Sequence, residues 1–211
     1  MSNAGASGEG GSRTTRPGLT SRVLWALLGW LYRLKGWRII GRPPALRKYV
    51  LIGAPHTSNW DFVFFAGTVQ KLGIRPSFMG KHTLFRWPLR RFMHDMGGMP
   101  VNRAKPGGYT RTVIRAFQQA SDMALVIAPE GTRKSSGEWR SGFYHIASGA
   151  GVPIVPAWFD YARKVGGMGE PIMPSGDYAA DMARLLAFYR SVMPDCPRFA
   201  ALEAQITAPP I

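Results

Sequence analysis

The sequence predicts an α/β fold: a mixed, largely parallel sheet flanked by helices, preceded by an amphipathic or apolar helix that associates with a membrane. Three observations carry this expectation. Short apolar runs at 49–53, 76–79, 99–101, 124–128 and 153–159 alternate with stretches of helical length, the rhythm of strand–helix units. The runs show little in–out alternation, as strands covered on both faces do. A chain of 211 residues with 45% hydrophobic content is also large enough for one domain with a substantial core.

Taken in order, residues 1–18 are mostly Gly, Ser, Thr and Arg without an apolar pattern, and are expected to be disordered. No secretory signal is expected, because this long polar stretch precedes the first apolar run. A membrane-associating helix is expected over 19–36. Its centre, Val23 to Tyr32, reads as apolar all round, with Arg22 before it and Arg33, Lys35 and Arg38 after. Ten residues make about 15 Å of helix, half of a bilayer core. Such a segment is too short to span, while its tryptophans and flanking cations suit a helix lying at the interface. Two exposed tryptophans would favour that over a packed core helix. The remaining unit, 37–211, holds the alternating elements. Helices are expected at 60–71, 86–95, 109–120, 142–150 and 178–193. The stretch 163–172, with Gly166, Gly167 and Gly169, reads as a tight turn into a late strand.

The charge is unevenly distributed. Residues 1–115 carry 19 Lys/Arg against Glu9, Asp61 and Asp95, a net +16, whereas residues 116–211 carry 8 against 9 acids, a net −1. A basic first half implies an anionic partner, whether lipid surface, phosphate-bearing ligand or nucleic acid. Nucleic-acid binding interleaves cations with stacking aromatics. Only Arg86, Arg90 and Arg91 with Trp87 and Phe92 resemble that, and helix packing explains them as well. Cys196 is the lone cysteine and lies in a Pro194-Asp195-Cys196-Pro197 turn, which excludes an intrachain disulfide and a Cys-rich metal site. No Gly-x-Ser-x-Gly nucleophile elbow occurs, and His56, His82, His94 and His145 form no metal-ligand spacing, so no metal is expected.

Four short blocks hold the candidate chemistry. His56, after the run Tyr49-Val50-Leu51-Ile52-Gly53, is followed by Asp61 with four residues between them. An imidazole accepts a hydroxyl proton near neutral pH, and a carboxylate can orient it. On one helix the two would stand about 140° apart. They meet only if His56 lies in a turn and Asp61 in the first turns of the next helix, capped by Ser58 or Asn59. Pro129-Glu130-Gly131-Thr132-Arg133 follows a second apolar run. Arg133 offers a planar fork for phosphate, Gly131 permits close backbone approach, and Glu130 can accept from a ligand hydroxyl or hold Arg133. Gly97-Gly98-Met99-Pro100-Val101-Asn102-Arg103 brings a second arginine, and Val152-Pro153-Ile154-Val155-Pro156 reads as buried strand or tunnel wall.

In this order the blocks resemble those of the glycerolipid acyltransferases, especially the 1-acylglycerol-3-phosphate (lysophosphatidic acid) acyltransferases. The resemblance covers residues 35–195. The family's His-four-residues-Asp signature matches His56 and Asp61, its glycine-led block matches Gly97 to Arg103, and Pro-Glu-Gly-Thr-Arg stands unaltered at 129–133. The segment Gly80-Lys81-His82-Thr83-Leu84-Phe85 and the stretch Gly169-Glu170-Pro171-Ile172 resemble two further family segments.

The resemblance implies an acyltransferase domain over 37–211 that moves a fatty acyl group from an acyl-CoA or acyl-ACP thioester to the hydroxyl of a lysophosphatidic acid. It implies His56 as the general base and Asp61 as its orienting group. Lys81, Arg103, Glu130, Gly131, Thr132 and Arg133 would bind the acceptor's phosphate and glycerol end. The thioester is a co-substrate, and no cofactor is implied. The oxyanion donors are expected among backbone N–H groups near the start of the helix after His56. A membrane surface with anionic lipids is the expected partner, at the cytoplasmic face of the cell membrane. Pro55 stands where the family has asparagine, and Met99-Pro100-Val101-Asn102 departs from its bulky and acidic residues. Both departures bear on acceptor identity. The same chemistry on another lyso-lipid, such as a lyso-ornithine lipid, is one alternative. A non-enzymatic basic membrane- or nucleic-acid-binding module is the other.

Overall fold

The computed structural model describes residues 17–58, 60–101, 108–132 and 135–207. Most of the segment expected to be disordered, residues 1–16, lies outside them. Seven strands form one sheet in the order β1-β7-β6-β2-β5-β3-β4. They are β1 (Arg38–Ile40), β2 (Lys48–Gly53), β3 (Pro76–Lys81), β4 (Gly98–Val101), β5 (Met123–Ile127), β6 (Ile154–Asp160) and β7 (Val165–Met168). The five strands β6, β2, β5, β3 and β4 run parallel. β7 is antiparallel to β6, and β1 pairs parallel with β7, so these two run against the rest.

Seven helices pack around the sheet: α1 (Leu19–Leu34), α2 (Trp60–Leu72), α3 (Arg90–Asp95), α4 (Gly108–Gln119), α5 (Gly142–Ala150), α6 (Tyr178–Val192) and α7 (Arg198–Thr207). Successive side chains of β2 point to opposite faces. Val50 and Ile52 join the main core with Phe117 of α4, Phe143 of α5, Leu185 of α6 and Leu202 of α7. Tyr49 and Leu51 pack on the other face with Val155 and Ile74. Both faces are therefore covered, which is why the apolar runs lack alternation.

The expected elements differ from the observed ones in four places. The helix expected over 86–95 is only Arg90–Asp95, preceded by a 3-10 helix, His82–Phe85, and a turn. Pro88 explains this: it has no N–H to give a helix and disfavours helical backbone at Trp87. β1 is added at one edge, and α7 after Pro197. Of the glycines expected to form a turn, Gly166 and Gly167 lie instead within β7, and Gly169 follows it. A Cβ at Gly167 would lie 2.9 Å from the Ile40 carbonyl oxygen, and one at Gly166 would lie 2.6 Å from the Phe159 ring. The turn comes earlier, at residues 161–164.

α1 is longer than its apolar centre and is not uniform around its circumference. Leu28 and Tyr32 are buried, and Leu24 and Trp25 pack with them toward α2 and α3. A Cβ at Gly67 of α2 would lie 2.3 Å from Tyr32 Cγ, so this glycine sets how closely the two helices approach. Leu19, Val23, Leu27, Trp30 and Leu34 form an exposed apolar stripe at helical spacing. No described helix is long and apolar enough to cross a membrane.

The first turn of α1 carries no acid of its own. Asp95 supplies one from α3, accepting from the Gly18 N–H at 3.1 Å and the Ser21 hydroxyl at 2.6 Å. Burial raises its pKa, but these two donors and Arg91 outweigh that and hold it below the ordinary carboxylate value. The latch is therefore complete above the unfolded carboxylate pKa of about 3.9 and is lost as pH falls through the lower folded value. Asp95→Ala should lower the hydrogen-exchange protection of the α1 amides by about 1 kcal/mol at pH 7. The difference from wild type should shrink as pH falls below the ordinary carboxylate value and vanish once Asp95 is protonated in the folded protein.

Candidate active site

The parallel strands bring the ends of β2, β5 and β6 to one edge of the sheet: Gly53 sits opposite Ala157, and Ile52 opposite Ile127. Ligands of open α/β sheets bind beyond such carboxyl ends. Two bonds fix the strand ends there. The Ala54 N–H donates to Ala157 O at 3.1 Å. The fully buried Tyr189 hydroxyl is shared between Ile52 O at 3.0 Å and Ala157 O at 3.1 Å.

His56 follows in the loop between β2 and α2. Its Nδ1 lies 2.8 Å from Asp61 Oδ2. The turn-then-helix arrangement required by the spacing is the one observed, with Asp61 in the first turn of α2. The loop wraps around the carboxylate: the Thr57 and Ser58 N–H groups each donate to Oδ2 at 2.9 Å. The Ser58 hydroxyl accepts the Trp60 N–H at 3.1 Å and so caps the helix. The Asp61 side chain is 9% exposed and that of His56 33%. The imidazole therefore sits at the mouth and the carboxylate beneath it. Because Nδ1–H donates to Asp61, the lone pair at Nε2 is left to take a proton.

The structure draws in residues that no sequence signal marked. The Tyr161 hydroxyl, in the turn after β6, donates to Asp61 Oδ1. Burial raises the Asp61 pKa, but His56, Tyr161 and the Ser58 N–H outweigh it and hold the group below its ordinary value. Arg198, at the start of α7, donates to Glu130 Oε2.

Glu130 is bound into the fold. Its side chain is fully buried. Oε1 accepts the His56 backbone N–H at 3.1 Å, and Oε2 is committed to Arg198. The carboxylate joins the histidine loop to the Pro129–Thr132 turn and to α7. Burial pushes its pKa up, and the His56 N–H and Arg198 offset only part of that.

The N–H groups expected to hold an oxyanion are also engaged. Those of His56, Thr57, Ser58 and Trp60 donate to side chains, and that of Asp61 to Ser58 O. Arg103 and Arg133 lie outside the described residues, as does Asn59. Lys81 ends β3 opposite Val101. Thr132 is exposed. Gly131 has φ +70°, and a Cβ there would lie 2.9 Å from Arg140 Nε. Only glycine lets this turn sit against that guanidinium. Arg140 donates its N–H to Pro129 O at 2.9 Å. With Glu130, Thr132, Ser135, Glu138 and Gln205 it lines a polar pocket of about 350 Å³.

His56, Asp61 and Glu130 lie within a segment, residues 38–160, that matches the model of the acyltransferase family. The chain belongs to that family. It is similar to the 1-acyl-sn-glycerol-3-phosphate acyltransferase of Haemophilus influenzae, with 27% identity over 201 residues, 84% of this chain and 81% of the relative. Its fold is that of the 1-acyl-sn-glycerophosphate (LPA) acyltransferase PlsC of Thermotoga maritima, with a TM-score of 0.57 at 17% identity. That match covers 90% of this chain and 81% of the other. In this acyltransferase the matched segment stops one residue short of Tyr161 and well short of Arg198.

Glu130 and Arg198 should behave as one unit. Glu130→Gln, Arg198→Met and the double variant, compared by denaturant unfolding, should show a coupling energy on the order of 1 kcal/mol or more. Additive losses would mean that the ion pair does not support the fold.

Proposed function

We propose that this acyltransferase transfers a fatty acyl group from an acyl-CoA or acyl-ACP thioester to the free hydroxyl of a lysophosphatidic acid, giving phosphatidic acid, at an anionic membrane surface. The observation that carries the chemistry is the His56 Nδ1–Asp61 Oδ2 contact of 2.8 Å, which directs the free Nε2 outward. Nε2 takes the acceptor's hydroxyl proton as the oxygen attacks the thioester carbonyl. Asp61 stabilises the imidazolium. The tetrahedral oxyanion collapses, the C–S bond breaks, and the departing thiolate receives the proton from Nε2. One ester and one thiol result, and no acyl-enzyme forms.

The acceptor's phosphate is assigned to Arg103 and Arg133 together with Lys81, Gly131 and Thr132, and to Arg140 as a further cation, whose backbone N–H bonds Pro129 O. Glu130 holds the His56 backbone rather than the ligand. The likeness to the two 1-acylglycerophosphate acyltransferases supports this acceptor class.

The lipid-facing surface is assigned to the exposed stripe of α1 and its rim of Arg22, Arg33 and Lys35. Trp30 is 57% exposed on this helix, while Trp25 is partly packed inside. Of the two tryptophans of α1, only Trp30 is therefore exposed; outside the helix, Trp87 in the turn before α3 is 93% exposed. Cations near an anionic surface each contribute about 1 kcal/mol, and the buried apolar side chains add about 2 kcal/mol each. The membrane concerned is taken to be the cell membrane, approached from its cytoplasmic face.

His56→Ala should lower turnover by about a thousandfold or more with the fold and vesicle binding intact. Full activity in that variant would overturn the mechanism. Labelled acyl-CoA offered with a panel including lysophosphatidic acid and lyso-ornithine lipid tests the acceptor. Strict preference for an acceptor lacking phosphate would remove the role given to the arginines. Leu27→Ser with Trp30→Ser should weaken binding to anionic vesicles at least about tenfold while sparing turnover of a short-chain soluble acceptor. Unchanged vesicle binding would release α1 from the membrane role.

A further inference from the structure

Asp61 offers two oxygens to its surroundings, and they are used unequally. Oδ2 takes the His56 imidazole and the N–H groups of Thr57 and Ser58. These groups all come from the chain just before it. Oδ1 is held from across the site by the Tyr161 hydroxyl, one hundred residues away in sequence. Without a donor there, rotation about Cβ–Cγ would tilt Oδ2 away from Nδ1.

The tyrosine is itself braced. Trp37, between α1 and β1, meets its ring edge-on at 5.4 Å, and Phe64 of α2 meets it at 5.2 Å. Trp37 and Phe64 are buried and lie 4.0 Å apart. Tyr32 of α1 belongs to the same cluster. Such edge-to-face contacts favour one ring placement, which fixes the phenol. Tyr161 and Trp37 bracket the family-matched segment immediately outside its two ends.

We propose that Tyr161 is a positioning residue for acyl transfer: its hydroxyl locks Asp61 Oδ1 so that Oδ2 keeps the His56 imidazole in register with the acceptor hydroxyl. This rests on His56 being the base, as proposed above. Burial and the neighbouring Asp61 raise the Tyr161 pKa, so the phenol stays protonated and remains a donor throughout the working pH range. Among the described residues, three further charged groups near the dyad have partners of their own. Glu130, behind the His56 N–H, is bound to Arg198. Asp160, next to Tyr161, pairs with Arg163 at 3.7 Å. Lys35, from the end of α1, lies 5.3 Å over the Trp60 ring.

Tyr161→Phe keeps the ring and removes only the hydroxyl. It should lower kcat about tenfold, the worth of one charge-assisted hydrogen bond, with KM for both substrates unchanged. A carboxylate deprived of a donor is more negative toward the imidazole and favours its protonated form. The acid limb of the kcat/KM profile should therefore move to higher pH. In an Asp61→Asn background the same substitution should cost nothing further.

Wild-type kcat with an unmoved acid limb would overturn the proposal. So would a loss that multiplies with Asp61→Asn, or one that merely tracks a lowered melting temperature, since either assigns the hydroxyl to packing. His56→Ala assayed alongside separates the two levels. Activity surviving in His56→Ala defeats the base itself. An inactive His56→Ala with an unaffected Tyr161→Phe defeats only the role of the tyrosine.

Discussion

The Asp61 carboxylate collects hydrogen bonds from the imidazole of His56, two backbone N–H groups and the Tyr161 hydroxyl. Through these it ties the end of β2, the start of α2 and the turn after β6 to one point. Removing a carboxylate with this many partners leaves buried donors unsatisfied as well as a histidine without a tautomer. The rest of the edge is arranged around that point. Glu130 does the equivalent for the backbone on the other side of His56, anchoring it to the β5 loop and to Arg198. His56 is therefore held at its imidazole by Asp61 and at its backbone N–H by Glu130, two acids that are themselves hydrogen-bonded, which gives a loop histidine a fixed geometry.

Much of this was legible in the chain. The apolar runs at 49–53 and 124–128 gave the two central strands to within a residue or two, because a strand buried on both faces cannot hide among polar residues. The His56–Asp61 spacing was informative for the opposite reason: one helix cannot bring the pair together, so the only productive arrangement was a turn followed by a cap. β1 escaped notice because three residues with Arg38 and Ile40 exposed carry no period. α7 did leave a signal, since Phe199 and Leu202 are both buried and stand three apart, but it follows a proline-rich turn. Tyr161 and Arg198 left none. Their partners lie 100 and 68 residues away, and long-range polar pairing has no local pattern. The Glu130–Arg198 pairing was hidden for the same reason, since Arg198 lies in α7.

The surface and the site share one route. The exposed stripe of α1 is backed by Tyr32, which packs with Trp37 and Phe64, and these rings hold Tyr161 against Asp61. At the other end of α1, Asp95 fastens the first turn to α3, next to the turn that displays Trp87. Glycine at its contact with α2 and a latch at its start hold this helix closely against α2 and α3.

Strand β6 departs from the active edge unlike β2, β4 and β5, each of which runs on toward a helix. It turns back at once, within residues 161–164, because β7 is antiparallel to it. A connection this short has no spare length. Across descendants of such a chain the helix-bound loops are free to lengthen and re-shape what they hold, while the β6–β7 hairpin can change only by substitution. A single inserted residue there would turn the tyrosine away from the aspartate. The reversal of one edge strand thus divides the rim into parts where evolution can add chain and one short arc where it can only exchange side chains.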